Sequence, residues 1–317
     1  MNPTREHLLV LAAEGGQVAD CDLSRLDLSG AALAGLRFQG VRLGGTRLAG
    51  ADLKEAVFKD CDAAEADFTG ADLAGVTFFR CGCAGPLFLD ASLVKATLLE
   101  LRAPDADFTG ARMHRLIAPG AALAEARFRR TDLSKAFLRG AKLPGQTFPE
   151  CDLRMAMFDC ADLRQADFSG LTLDQASFQG AQLEGAGFRR ARGRFLAFQG
   201  AAAPGADFTE ATLPMSAFDG ADLQQARFPD ATLIQGRFVK ARCSGADFRR
   251  ARLDQADFAY ADLDDADLGD ARLALASLHA IRADRTRWSG ADRGAALGTD
   301  PERLESEAWT PPDPADL

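Results

Sequence analysis

The chain has few of the residues that most catalytic sites use, and it lacks the marks of several protein classes. Its 317 residues include three His, one Tyr and two Trp, which leaves little for acid–base chemistry. The seven Cys are an odd number without a paired framework, which favours a reducing, cytoplasmic location. No apolar run approaches the roughly 20 residues that span a bilayer, and the start does not resemble a signal peptide. The net charge of −9 argues against a general nucleic-acid binder.

The sequence is instead dominated by a repeat of five residues. From residue 21 onward each unit is a small residue, a polar residue, Leu or Phe, and two variable residues, as in Ala206-Asp207-Phe208. The register holds from residue 23 to 288 without an insertion, and 44 of the 54 central positions are Leu or Phe. Of the residues two positions before the centre, 34 are Ala. Five is neither a helical nor a strand period, so each unit predicts one short extended side followed by a corner.

Glycine and proline occupy the predicted corners. Of the 30 Gly, 20 follow the central residue by two positions, and seven of the 13 Pro follow it by one. Proline then glycine is the order that a turn prefers when its second corner residue has positive φ. Gly193 is the only central Gly, and it leaves a hole in the core. We predict that Phe195, two residues later, folds toward the axis or covers this gap.

A second period of ten residues lies inside the first, because 19 of the 22 Phe are central and nearly all have numbers ending in 8. A four-sided coil, with one unit on each side, explains it, since opposite sides then carry the same residue type. One predicted file is Phe from residue 68 to residue 248. The opposite file is Phe at 38, 58 and 78, then Leu98, Ala118 and Leu138, then Phe again from 158 to 258. We expect Phe rings to stack along the axis in both files.

These units resemble those of the pentapeptide repeat proteins, which read A(D/N)Lxx. The resemblance covers the chain from residue 21 to residue 290 and implies an all-β solenoid, a right-handed quadrilateral β-helix. At four units a coil this makes about 13.5 coils, and at the usual strand spacing a rod roughly 65 Å long. The family's functions are less uniform than its fold, so the fold alone does not define a function.

Three segments follow from this frame: an N-terminal capping helix at 1–20, the β-helix at 21–290, and a C-terminal cap and extended tail at 291–317. The first helix is predicted over residues 4–14, with Thr4 or Asn2 as its N-cap and an apolar stripe. That stripe is Leu8, Leu11 and Ala12. A second helix is predicted to start at Thr299-Asp300-Pro301-Glu302, so that Leu304, Ala308 and Trp309 cover the other end. Residues 310–314 are predicted to be extended or disordered.

Candidate chemistry is sparse. Six Cys lie at inward positions and are predicted to pack as small apolar residues: Cys21, Cys61, Cys81, Cys83, Cys151 and Cys243. Cys160 lies on a corner and is the one thiol expected to react. His114 and His279 lie about eight coils apart, so no Ser/His/Asp or Cys/His constellation is expected. We predict no enzyme activity, no catalytic residue, no cofactor and no metal.

One side of the predicted rod departs from the polar pattern. Its outward positions become apolar in mid-rod, and large apolar residues occur at corners nearby. The predicted protein-binding residues are Phe79, Leu87, Leu89, Leu99, Ile117, Phe137 and Met157. Such a patch on a soluble protein usually marks an interface. The alternative is that some of these side chains turn inward, where the centres are undersized: Ala63, Cys83, Ala103 and Ala118.

An acidic segment supports a second reading. Pentapeptide proteins that protect DNA gyrase from quinolones are thought to mimic DNA with an acidic rod. Residues 254–270 carry seven acids and no base: Asp254, Asp257, Asp262, Asp264, Asp265, Asp267 and Asp270. Elsewhere Arg clusters interrupt any acidic strip, at residues 127–130, 189–194 and 249–252.

The sequence therefore favours a non-enzymatic scaffold or adaptor that binds a protein, or a second copy of itself, along one side of the rod. It predicts no direct contact with nucleic acid or membrane. Residues 21–31 resemble bacterial modules that accompany type VI secretion clusters, which implies an accessory of secreted effectors. The alternative is a DNA-mimicking modulator or protector of a type II topoisomerase.

Overall fold

A computed structural model describes residues 3–308 of the chain. The described part contains helix α1 (Arg5–Ala13), strands β1 (Gln17–Ala19), β2 (Arg37–Gln39), β3 (Val57–Lys59), β4 (Thr77–Phe79) and β5 (Thr97–Leu99), a 3-10 turn (Arg293–Ala295) and helix α2 (Pro301–Ala308). The predictions for Asn2, for Trp309 and for the extended tail lie outside the described residues.

The strands form one parallel sheet in chain order, and each residue pairs with the residue 20 positions later, as in Phe38↔Phe58. Single parallel bridges continue this offset past β5, as far as Ser277↔Leu297. An all-β parallel solenoid with a short helix near each end of the described part is therefore confirmed. Pairing begins at Gln17 and reaches Leu297, beyond the predicted limits of 21 and 290. The handedness, the four-sided section and the count of 13.5 coils stay predictions.

Two files of Phe rings run through the core, which also contains the central Leu residues. Within a file, rings one turn apart are nearly parallel, as in Phe38 and Phe58, whose ring centroids lie 4.5 Å apart. Rings of opposite files meet edge to face, as in Phe58 and Phe68 at 6.2 Å. Both arrangements place the positive ring edges near negative faces, and the small Ala between the rings leaves room for them. The predicted stacking of Phe is confirmed, and Ala118 interrupts one file where expected.

The corners have the predicted positive φ, but glycine is not required there. Gly30 has φ of 65°, and Arg25 and Met155, at the same position of their units, both have φ of 60°. The Asp that precedes the central residue helps to close the corner. Asp22 accepts a hydrogen bond from the backbone N–H of Ser24 at 2.9 Å, and the same contact recurs along the rod. The recurrent Asp thus satisfies a backbone donor that the turn leaves unpaired.

The prediction for the hole at Gly193 is wrong. The Phe195 side chain is 53% exposed, its φ is 60°, and Arg194 lies over its ring at 5.4 Å. Leu196 fills the hole instead, because a Cβ on Gly193 would lie 2.8 Å from Leu196 Cδ1. The inward small position here carries Leu rather than Ala, so the larger side chain compensates for the missing central one.

Helix α1 covers the N-terminal end of the solenoid. The Thr4 hydroxyl accepts from the backbone N–H of His7 at 3.4 Å, and Leu8 is fully buried. Arg5 donates to the backbone carbonyls of Asp27 and Ser29, at 3.1 and 2.9 Å. These contacts tie the helix to the first turn, since they use carbonyls of that turn.

Helix α2 begins where predicted, but it does not cover the other end with apolar side chains. The Asp300 carboxylate accepts from the backbone N–H groups of Glu302 and Arg303, at 3.0 and 3.1 Å. Leu304 is 42% exposed and no residue of α2 is buried, so the predicted roles of Leu304 and Ala308 are wrong. The helix carries three Glu and one Arg in eight residues, too few apolar groups for a lid.

Polar contacts with His279 hold α2 in place. This side chain is 2% exposed, and its Nδ1 accepts from the backbone N–H of Asp300 at 3.2 Å. Its Nε2 lies 3.2 Å from both the Tyr260 hydroxyl and a Glu307 carboxylate oxygen. His279 is therefore buried beneath the C-terminal segment.

Candidate functional site

A column of apolar side chains points outward along one side of the solenoid. Parallel bridges join Thr97 to Ile117, Ile117 to Phe137, and Phe137 to Met157. Ile117 is 43% exposed, Met157 is 37% exposed and Phe137 is half-buried. None of these side chains is buried beside the undersized centre at Ala118. The alternative of inward repacking is therefore wrong for Ile117 and Met157.

Two corners widen this column. Phe79 and Leu99 pair directly between β4 and β5, are half-buried, and lie at the corner that follows the column. Met155, which the sequence reasoning missed, is 39% exposed at the corner that precedes it. Its signal was an apolar residue at a corner position normally held by Gly or a polar residue. We call the set Phe79, Leu99, Ile117, Phe137, Met155 and Met157 the apolar side.

The structure does not bring Leu87 and Leu89 to the apolar side. Leu87 pairs with Asp67 and Asp107, in a column half a turn from that of Thr97. The inward neighbours Phe78 and Phe88 meet edge to face across the core at 6.3 Å, so Leu87 points away from the apolar side. The sequence reasoning placed Leu87 and Leu89 round an adjoining corner. That was wrong, because ten positions along the chain correspond to half a turn.

A row of cations borders the apolar side. Lys95, Arg115 and Lys135 occupy the same corner in three successive turns, with φ of 59°, 57° and 58°. They precede Thr97, Ile117 and Phe137, respectively, by two positions. Lys95 and Arg115 are exposed and Lys135 is half-buried. Within residues 3–308, none of the three forms an ion pair, whereas many Arg elsewhere on the rod pair with an acid one turn away. We call these three residues the basic row.

One contact among Ser, His and Asp was not foreseen by the prediction that no Ser/His/Asp constellation forms. His114 Nδ1 lies 2.8 Å from Ser134 Oγ, and Ser134 Oγ donates to an Asp132 carboxylate oxygen at 2.5 Å. The order differs from that of a nucleophilic triad, because the serine lies between the histidine and the aspartate. One turn of the solenoid brings His114 and Ser134 into contact, which the sequence argument overlooked.

The acidic segment does not form an acidic side. Asp257, Asp262 and Asp267 belong to three different bridging columns, so the segment winds round the rod. Arg residues of the next turn also compensate it. Asp265 pairs with Arg285 at 2.6 Å, and this guanidinium holds the pKa of the Asp265 carboxyl below its usual range.

Four further acids of the segment contact Arg side chains, at 2.5 to 3.5 Å: Asp254 with Arg272, Asp262 and Asp264 with Arg282, and Asp267 with Arg287. Asp257 accepts from the backbone N–H of Ala259 at 3.0 Å. The sequence reasoning counted bases only inside the segment itself, whereas the pairing partners lie about one turn further along the chain.

The cysteines lie largely as predicted. Five are buried and Cys21 is half-buried, while Cys160 is exposed. Burial raises the pKa of the Cys83 thiol to about 12, which makes its thiolate scarce at neutral pH. Among residues 3–308, no group of three or more His, Cys, Asp or Glu is placed to hold a metal ion. In the same part of the chain, no helix is long and apolar enough to cross a membrane.

The sequence profile of the pentapeptide repeats matches the chain in eight copies, over more than half of its length. The matched segments are residues 42–78, 106–145, 156–192, 194–233 and 237–274. The chain belongs to the pentapeptide repeat family. Among the curated proteins, none matches this pentapeptide repeat protein significantly.

Several solved pentapeptide repeat structures are similar to it. Rfr23 from the cyanobacterium Cyanothece 51142 is 20% identical, with a TM-score of 0.31, over 42% of this chain and 91% of Rfr23. HetL from Nostoc sp. strain PCC 7120, involved in heterocyst differentiation regulation, is 21% identical, with a TM-score of 0.24, over 95% and 98% of the two chains. A trypsin-treated variant of QnrB1, a plasmid-mediated fluoroquinolone resistance protein, is 18% identical, with a TM-score of 0.28, over 59% and 74%.

The sides of this pentapeptide repeat protein offer side chains rather than backbone to a partner. Along the apolar side, Ile117 N–H donates to the Ala96 carbonyl at 2.9 Å, and the Ile117 carbonyl accepts from Leu98 N–H at 2.7 Å. The same ladder uses the backbone of Phe137 and Met157. A partner therefore cannot add a strand to this side, and recognition there depends on shape, apolar contact and charge.

Proposed function

We propose that this pentapeptide repeat protein is a non-enzymatic scaffold or adaptor that binds a protein partner through the apolar side. The observation that carries the proposal is the column of Ile117, Phe137 and Met157, which stay outward although the core beneath them is thin. Most outward positions elsewhere are polar, so the fold does not require apolar residues there.

Burial of this side against a partner is favourable. Covering a fully exposed Ile, Phe or Met contributes about 1.5–3 kcal/mol, before the cost of association. These side chains are already about half covered, so each contributes roughly half of that. Six such residues within about four turns still provide a compact apolar centre of the kind that interfaces use.

The wider setting is part of the same proposal. We place the protein in the cytoplasm, acting without a cofactor, on a protein partner or on a second copy of itself. A secreted effector or secretion component of a type VI system is the partner class that the resemblance of residues 21–31 implies. The topoisomerase alternative would act through the acidic segment, where five of the seven acids contact Arg.

The test compares two double variants with the wild type. Ile117→Asp with Phe137→Asp should abolish partner binding or self-association, because each carboxylate would be desolvated at the contact. Arg189→Glu with Arg190→Glu, on other columns of the rod, should bind normally. Partners are captured from host extract and then measured with purified proteins, and circular dichroism checks the fold of each variant.

Two outcomes would contradict the proposal. One is a folded apolar-side variant that binds its partner as tightly as the wild type. The other is loss of binding when the acids of residues 254–270 are neutralised while the apolar-side variant still binds, which would favour the topoisomerase alternative.

A further inference from the structure

The basic row is an exception to the way this rod distributes charge. At comparable corners, residues one turn apart carry opposite charges and pair, as Asp60 with Arg80 at 2.7 Å and Asp230 with Arg250 at 2.7 Å. Lys95, Arg115 and Lys135 instead place three like charges at successive turns, about 5 Å apart. Like charges at this spacing repel one another, and the fold itself does not call for them.

Within residues 3–308, the acids around the basic row contact other groups and form no ion pair with it. Asp132 is engaged by the backbone and hydroxyl of Ser134. Asp159, at the far end of the apolar side, is hydrogen-bonded to Ser177. The opposite border carries Glu100, which forms no ion pair within the described part of the chain. The apolar side therefore has one cationic border, whose three cations form no ion pair in the described part of the chain.

We propose that the apolar side binds an acidic amphipathic α-helix that lies along the rod axis. This inference rests on the proposed function and names the partner's chemistry. The apolar face of the helix would cover Ile117, Phe137 and Met157, and its carboxylates would contact the basic row. A strand is a poor candidate, because the backbone groups of this side are already paired. A helix presents side chains alone, and its own backbone is satisfied.

The dimensions of the two partners agree. Two steps along the column span about 9.6 Å, close to the rise of about 10.5 Å between helix residues i and i+7. Three steps, from Thr97 to Met157, match about three turns of helix. An acid in each turn, on one flank of the apolar face, would then meet one cation of the basic row. The result is a short helix with apolar residues at i, i+4 and i+7 and acids beside them.

An anionic membrane surface and a nucleic acid are the other anionic partners to consider. Both are recognised by broad basic surfaces, whereas the net charge here is −9 and the basic row is one residue wide. A discrete apolar column beside a single line of cations fits a helix of matching width better. These alternatives become outcomes of the test.

The test uses a library of helical peptides with randomised charged positions beside a fixed apolar face, selected on the full-length protein. Selected peptides should be rich in Glu and Asp. Their affinity should fall at least tenfold on Ile117→Asp with Phe137→Asp, and at least tenfold on Arg115→Glu with Lys135→Glu. A peptide with its acids changed to Lys should bind the second variant at least tenfold more tightly than the acidic peptide does. The matched control is Arg130→Glu with Lys240→Glu, also corner cations without ion pairs in the described residues, and it should have little effect.

Three results would overturn the inference. The first is that the selected peptides are basic or neutral. The second is that no peptide is enriched. The third is that the charge reversal leaves the affinity of the peptides unchanged. Vesicles of phosphatidylglycerol and a duplex DNA are measured alongside. If either binds the wild type, loses binding on charge reversal, and no acidic peptide is enriched, the partner is that anion. If the host partner is lost on Ile117→Asp with Phe137→Asp but retained on charge reversal, the proposed function stands and the acidic helix does not.

Discussion

Truncation of one central ring should destabilise the rod strongly and locally. Phe168 is fully buried and its ring lies 5.2 Å from that of Phe148 and 5.0 Å from that of Phe188 in its own file. It also meets Phe158 and Phe178 edge to face, at 5.9 and 5.1 Å. A Phe→Ala change in a packed core costs about 3–5 kcal/mol in the free energy of unfolding. Because the change removes a ring that packs against four others, each pair worth about 0.5–1.5 kcal/mol beyond burial, we expect the upper part of that range.

The effect of Phe168→Ala should be measured by urea unfolding and by hydrogen exchange resolved along the chain. Because each turn contacts only its neighbours, exchange should accelerate most in the two turns on either side and least at the ends. Phe195→Ala is the matched control, since the same atoms are removed from an exposed corner, and its effect should stay within about 0.5 kcal/mol. Equal acceleration along the whole rod, or equal destabilisation by the two variants, would refute this reasoning.

Three further predictions concern packing, thiols and acid. Gly193→Ala should destabilise by about 1–3 kcal/mol in urea unfolding, since its Cβ would lie 2.9 Å from the backbone carbonyl carbon of Leu173; an unchanged midpoint would contradict this. An alkylating agent should label Cys160 fastest, because this thiol is exposed and the other six are buried or half-buried; equally fast labelling of Cys160→Ser would count against it. The pKa of Asp22 is lowered to about 2 by hydrogen bonds from the residue two positions on and the arginine one turn on. The unfolded pKa of Asp is about 3.9, so the contribution of Asp22 to the free energy of unfolding is complete above about pH 4.5 and is lost as the pH falls toward 2. A melting temperature that already falls between pH 7 and pH 5 would have a cause other than Asp22.

The sequence was sufficient for the repeating parts of the fold. The period of five and the period of ten in Phe predicted the parallel solenoid and the stacked rings, because they express packing that every turn repeats. Single exceptions were harder. The missing central side chain at Gly193 was predicted from the sequence, but Phe195 rather than Leu196 was predicted to fill the space. A residue at an inward position reaches the core by default, whereas a corner residue would have to leave its turn.

Errors at the candidate site came from treating neighbours along the chain as neighbours in space. Leu87 and Leu89 are close in number to Phe79 but lie half a turn away. The acids near Asp265 have no base beside them in sequence, yet Arg285 lies one turn above. Contacts between successive turns determine which surface charges are paired, and a short window of sequence does not include both partners. The uncompensated basic row could have been found by writing the sequence with one turn in each row.

Because the offset between paired residues is constant, the position of a residue on the exterior can be calculated from its number. A residue's height along the rod and its column around it follow from its number alone, so the surface is a grid whose rows are about 4.8 Å apart. Removing one whole turn would delete one row and leave every column aligned. Removing a single repeat unit would keep the inward positions apolar but rotate all later columns by one bridging position. An insertion or deletion of less than a whole turn therefore rotates the surface on one side of it relative to the surface on the other. Residues spaced by one turn lie in one line along the rod.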